Sequence, residues 1–147
     1  MEKVSAAVTL KYMSNLCMRY LENNSHKKDI EAITGTNGWI IAYIQENENK
    51  DIFQRDLEKQ FGITRSTASK VINLMISKGL VEHKSVEYDA RLKKLVLTDK
   101  ARAIVSLIKE DGEMLERVLL SDIPEEEMNV FFGCIKKMKD NIEKTLK

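Results

Sequence analysis

Only two cysteines, Cys17 and Cys134, occur in the 147 residues. That excludes a disulfide-scaffolded class and suits a reducing compartment. Their spacing matches no zinc motif. With only His26 and His83 to add, a metal or nucleophilic constellation would need scattered residues to converge, so neither a cofactor nor catalysis is expected. Long apolar runs are also missing. The longest, Trp39 to Ile44, is far below the roughly 20 residues of a membrane span, and Met1-Glu2-Lys3-Val4 begins no secretory signal. The expectation is a cytoplasmic protein without membrane contact. Low aromatic content, a single proline and abundant charge point to a mainly helical chain, with one domain by length.

Excess charge of one sign is lacking too, since the formal net charge is +1. Bulk charge therefore says nothing about nucleic acid, and the distribution has to. Residues 63–102 hold nine Lys or Arg against four Asp or Glu, a net +5, which leaves −4 for the rest. Acid gathers between Glu110 and Glu127, so the molecule should be polarised, with its basic side toward phosphates.

The chain is organised around the stretch from Phe53 to Thr98. Gln54 to Phe61 reads as a short helix with Leu57 and Phe61 four apart on one face. Gly62 breaks it, and a second helix starts at Thr64 or Arg65 behind a Thr cap. In that helix Ala68, Val71, Ile72 and Met75 follow helical spacing and face inward. The opposite stripe, Ser66, Ser69, Lys70, Asn73 and Ser77 beside Arg65, is polar and carries no acid. Short donors and acceptors reach base edges in a major groove, while Arg65 and Lys70 can pair with phosphates or guanine. Seen alone, such a stripe is most simply a solvated surface. The next segment changes that reading. Gly79 ends the helix, and Leu80 to Val86 and Leu92 to Thr98 read as two strands joined by a charged tip from Glu87 to Arg91.

From Ile33 to Ala101 the chain resembles the MarR-type bacterial transcription regulators. The resemblance is carried by Gln54-Arg55-Asp56-Leu57, by Phe61 through Lys70, by Lys78-Gly79-Leu80-Val81-Glu82, by Asp89-Ala90-Arg91 in the wing and by Leu97-Thr98-Asp99-Lys100-Ala101 after it. Phe53, where a Ser or Thr cap is usual, Val86-Glu87 and Ala101 depart from the family pattern. The resemblance implies a mainly α fold with a small β-hairpin wing, a winged helix-turn-helix flanked by N- and C-terminal dimerisation helices. It implies a homodimer on double-stranded DNA, acting as a repressor released by a small-molecule effector. Arg65, Ser66, Thr67, Ser69, Lys70 and Asn73 would enter the major groove, with Arg91 and Lys93 on the wing. The winged unit would span residues 36–98 of a single 147-residue domain, and residues 1–35 and 99–147 would supply the dimerisation helices.

Taken in order, Lys3 to Asn23 reads as a helix, apolar on a broad arc through Val8, Leu10, Met13, Leu16, Cys17, Tyr20 and Leu21, and Asn23-Asn24-Ser25 ends it. A polar segment to Glu31 leads into an Ile33-Thr34-Gly35-Thr36 loop with a cap at its end, and Trp39 to Gln45 forms a second apolar helix. After the wing, Thr98 caps a long helix in which Gly112 marks a close helix approach or a slight kink. Pro124 and Glu125-Glu126-Glu127 open the last helix, whose end is basic. The terminal helices carry more apolar surface than a winged unit of about 60 residues can cover. Either a helical bundle within the chain or, as the resemblance implies, a second subunit covers it.

For sensing, the resemblance suggests an effector cleft that Met13, Trp39 and Tyr43 could face, although such residues at helical spacing are more often core fillers. Cys17 stands in the first helix, where some relatives place a peroxide-sensing thiol. It is mid-helix, away from the helix N-terminus that would lower its pKa. The other readings are a winged helix used as a protein-interaction module and, more distantly, an enzyme. The basic bias of helix and wing argues against the former.

Overall fold

The computed structural model describes residues 3–23, 25–35 and 37–146. Of the helix end expected at Asn23-Asn24-Ser25, Asn24 lies outside them, as does the cap expected at Thr36, while Asn23 is the C-cap of the first helix. Among the described residues the order is α1 (Ala6–Glu22), α2 (Ser25–Thr34), α3 (Gly38–Glu46), α4 (Gln54–Phe61), α5 (Arg65–Ser77), β1 (Val81–Val86), β2 (Asp89–Leu97), α6 (Asp99–Leu119) and α7 (Glu125–Thr145). The mainly helical architecture with one antiparallel hairpin is the winged helix-turn-helix expected from the sequence. No helix among the described residues is long and apolar enough to cross a membrane.

The chain forms two compact units, residues 1–115 and 116–147. The first is built on one apolar cluster. Ile40, Ile41 and Ile44 of α3, Leu57 of α4, Ile72 and Met75 of α5, Leu95 and Leu97 of β2 and Ala101 and Ile104 of α6 are all buried in it. Helical spacing on α3 and α5 and period-two spacing on β2 bring these side chains to a common side, and their removal from water is the main favourable term. In the second unit α7 holds no buried residue, and the Phe131 and Phe132 rings meet edge to face at 5.3 Å.

Four sequence expectations are corrected. First, the polar segment to Glu31 forms most of α2, which also takes in Ile33 and Thr34, the first two residues of the loop expected at Ile33-Thr34-Gly35-Thr36. Among the described side chains of α2, Ile30 and Thr34, four apart, are buried and Ile33 packs partly buried against the core, and the Thr34 hydroxyl donates to the Ile30 carbonyl at 2.9 Å. So narrow an apolar edge leaves no stripe to read in the sequence. Second, the wing turn is shorter than expected. β2 begins at Asp89, leaving Glu87-Tyr88 as the turn, because Val86 pairs with Asp89 while Ser85 pairs with Lys93. The irregularity falls at residues 90–92, where an interrupted ladder hides the strand's period. Third, Gly112 does not break α6, and a Cβ built there meets nothing within 4 Å among the described residues of the chain. Finally, α1 starts at Ala6 rather than Lys3, because the Ser5 hydroxyl accepts from the Val8 amide at 3.4 Å.

A buried carboxylate, Asp111 on α6, hydrogen-bonds His26 of α2 across 2.9 Å. Burying a carboxylate requires such a partner, and this bond supplies one.

Candidate nucleic-acid interface

The helix-turn-helix is set by local chemistry at two residues. Gly62 closes α4 at φ 60°, ψ 33°, the left-handed region where a side chain is disfavoured. Thr64 then opens α5, its hydroxyl accepting from the Thr67 amide at 3.2 Å. At the start of α4, Phe53 has no side-chain acceptor to offer. Its own amide instead donates to the Asp56 carboxylate at 2.8 Å, half of a capping box, so the departure from a Ser or Thr cap leaves the helix entry held. The Arg55 guanidinium lies 5.0 Å over the Phe53 ring.

On α5, Ala68, Ile72 and Met75 are buried, which turns the opposite side outward. Arg65, Ser66, Thr67, Lys70 and Asn73 are exposed there, and Ser69 is half-buried. The six predicted helix residues thus lie on one helix with four fully buried anchors at its back or end, Ala68, Ile72, Met75 and Leu80. Gln54 reaches across the turn to the Arg65 carbonyl at 3.3 Å, tying the two helices of the motif at the point where α5 begins.

The wing is fastened at both ends. At its base the Thr98 hydroxyl donates to the Gly79 carbonyl at 2.6 Å and accepts from the Ala101 amide at 3.3 Å, joining the end of α5 to the start of α6. The Leu95 amide donates to the Ile52 carbonyl at 2.7 Å, so the segment before α4 lies along β2. At its tip Asp89 holds Arg91, whose backbone amide and guanidinium both donate to that carboxylate. These bonds hold the Asp89 carboxyl below its ordinary pKa. Arg91 nevertheless remains 90 % exposed, oriented but open to solvent. Lys93 donates to the Ser85 hydroxyl at 2.7 Å across the ladder.

Asp51 was not singled out in the sequence. One of its oxygens faces Lys94 at 3.2 Å and the other accepts from the Tyr88 hydroxyl at 3.4 Å, so the segment before α4 grips both the turn and the shaft of the wing. The Tyr88 hydroxyl pKa is pushed up, first by partial desolvation and then by the Asp51 charge. Nothing periodic marks Asp51, and its partners are about forty residues away.

The sensing candidates separate. Trp39 and Tyr43 both meet Phe61, with ring centroids 4.2 and 5.6 Å apart, and pack on the core. Met13 and the half-buried Cys17 lie on α1, which holds no buried residue.

A polar helix behind a capped turn, flanked by a basic wing, defines a winged helix-turn-helix regulator. Comparison with known proteins agrees: residues 33–92 match the model described as MarR family. The transcription regulator MarR from Oenococcus oeni PSU-1 is 32% identical, with 92% of this chain and 99% of that one covered and a TM-score of 0.75. A MarR family regulator from Listeria monocytogenes, crystallised with a 26mer DNA, is 27% identical over 97% of this chain and 90% of its own, with a TM-score of 0.71. The uncharacterized HTH-type transcriptional regulator YybA of Bacillus subtilis (strain 168) is 26% identical over 122 residues, 83% of this chain and 79% of its own. The chain belongs to the MarR family of transcription regulators.

Proposed function

We propose that the protein is a sequence-specific regulator that binds a pseudo-palindromic operator as a homodimer and represses transcription until a small ligand releases it. The observation that carries the reading is the outward face of α5, free of acid and polar except for Leu74, beside a wing whose arginine is held by Asp89 yet open to solvent. Arg65, Ser66, Thr67, Ser69, Lys70 and Asn73 read the major groove from that helix, and Arg91 and Lys93 meet the adjoining backbone or minor groove. The DNA complex of the Listeria monocytogenes relative supports the same use of this fold.

Residues 36–98 act as the DNA-binding unit, and residues 1–35 and 99–147 as the dimerisation helices. Support for dimerisation comes from the apolar side chains those helices expose, among them Val8 and Tyr12 on α1 and Phe132 and Ile142 on α7. A gel shift against the DNA upstream of the protein's own gene, with and without generic competitor, tests the reading. A band that survives competitor supports it, and a band lost to competitor in proportion to DNA mass refutes sequence specificity.

A further inference from the structure

Four consecutive residues between α3 and α5 each reach a different part of the DNA-binding unit. Asp51 faces Lys94 on the wing shaft at 3.2 Å and accepts from the Tyr88 hydroxyl in the wing turn at 3.4 Å. The Ile52 carbonyl accepts the Leu95 amide at 2.7 Å. The Phe53 amide donates to Asp56 of α4 at 2.8 Å, and the Gln54 side chain donates to the Arg65 carbonyl at the start of α5 at 3.3 Å. One short segment therefore bonds to the wing at one end and to the recognition helix at the other. Ile52 and Phe53 are buried, which fixes the segment on the core. The Ile52 bond holds only the shaft. The turn, Glu87-Tyr88, lies past the register shift between Ser85 and Val86, where regular pairing is interrupted, and there Asp51 supplies a second hold. Tyr88 adjoins Asp89, which carries Arg91, so fixing Tyr88 fixes the base on which the wing arginine stands.

We infer that Asp51 is a positioning residue for DNA binding, which through Tyr88 and Lys94 sets the wing tip, and with it Arg91, at a fixed distance from α5. This role rests on the proposed DNA-binding reading, whereas the hold on the wing does not. Its sign is opposite to that of plain electrostatics. A carboxylate beside a basic wing repels phosphates, so an Asp51 that were only a surface charge would hinder binding, and its removal would strengthen it. Removing a positioning residue does the reverse. The Asp51 and Lys94 side chains are 36% and 34% exposed, and a pair so screened adds little to global stability. Loss of Asp51 should therefore alter local order in the wing and leave the core intact.

The test uses the full-length chain, a mixed-sequence DNA duplex and the variants Asp51→Ala, Tyr88→Phe and Arg91→Ala. In the free protein, backbone order parameters at Tyr88 and Arg91 should fall in Asp51→Ala and, by less, in Tyr88→Phe, while Tm moves by no more than about 2 °C. On DNA, Asp51→Ala should weaken binding about fivefold and lower the salt slope toward that of Arg91→Ala. Tyr88→Phe, which keeps every charge, should shift both in the same direction. Added to Arg91→Ala, the Asp51 change should weaken binding no further, because the arginine it positions is gone. Unchanged order parameters in Asp51→Ala overturn the hold on the wing. Tighter binding by Asp51→Ala, or a loss that persists in full when residue 91 is already alanine, overturns the positioning role. A wild type that leaves the duplex unbound at low salt overturns the regulator reading instead, and the order parameters of the free protein then decide the hold by themselves.

Discussion

Asp89 accepts the Arg91 guanidinium through both carboxylate oxygens, each at 3.2 Å, and the Arg91 backbone amide at 2.9 Å. The carboxylate therefore orients the arginine and the wing backbone together. An arginine already held in place loses less conformational freedom when it enters a groove. Minor-groove donor and acceptor patterns are nearly degenerate, so its contribution should depend on groove width more than base identity. Arg91→Ala should weaken operator and non-specific DNA alike, lower the salt slope by about one unit and preserve the order of base preferences. An unchanged salt slope in the mutant would show that Arg91 is only a solvated charge.

The same pair predicts a response to acid. Because Arg91 lowers the folded-state pKa of Asp89, the stabilisation of the wing is present above the ordinary carboxylate value and is lost as pH falls through the lowered one. The Arg91 side-chain Nε–H resonance should thus hold its position from neutral pH past about pH 4, where free aspartates titrate, and move only below it. Movement at the ordinary value, in step with exposed carboxylates, would show the pair is not formed in solution.

Where local chemistry decides, the structure was legible in the sequence. Gly62, Thr64, Gly79 and Thr98 each punctuate an element by a backbone need or a cap, and the bounds of α4 and α5 follow from them. The inward face of α5 was readable from period alone, with Ala68, Ile72 and Met75 buried. What was not readable depends on partners distant in the chain. Nothing near Asp51 announces Tyr88 or Lys94, nothing near His26 announces Asp111, and α2 shows too narrow an apolar edge to register. The candidate interface was thus named residue by residue on α5, whereas the contacts that aim the wing emerged only with its three-dimensional placement.

Removing a cap tests whether the start of α5 is set as described. Thr64→Ala deletes the acceptor for the Thr67 amide and should cost about 1 kcal/mol, lowering Tm by about 2–4 °C at fixed protein concentration. Thr64→Ser keeps the acceptor and should restore most of the loss. If the serine variant melts no higher than the alanine one, the hydroxyl is not the cap.

Ending the chain at Ser121 removes α7, with exposed Val130, Phe131, Phe132 and Ile142. If these side chains meet a second subunit, the truncated chain leaves the facing apolar surface uncovered, and such surface drives aggregation. The expected product aggregates or unfolds. A folded, soluble monomer of that length by sedimentation would sink the proposal that the terminal helices interlock.

The geometry of the dimer on DNA gives the last prediction. In the proposed homodimer, two copies of α5 related by a two-fold axis would present their polar faces on one side and each would read one half-site, so the half-sites should lie about one helical turn apart. Inserting half a turn rotates one half-site to the far side of the duplex, where its α5 cannot reach without unwinding DNA or breaking the dimer. Binding should then fall to the level of non-specific DNA, and restoring a full turn should recover only the part that dimer flexibility allows. Within each half-site, Lys70→Ala or Asn73→Ala should relax discrimination at defined positions, since a well-placed bidentate contact contributes about 1–3 kcal/mol. Both side chains are exposed and lie opposite the buried Ala68 and Ile72, so these changes should leave Tm nearly unaltered. Affinity indifferent to the spacer, with base preferences unmoved in both variants, would mean that α5 does not read the operator.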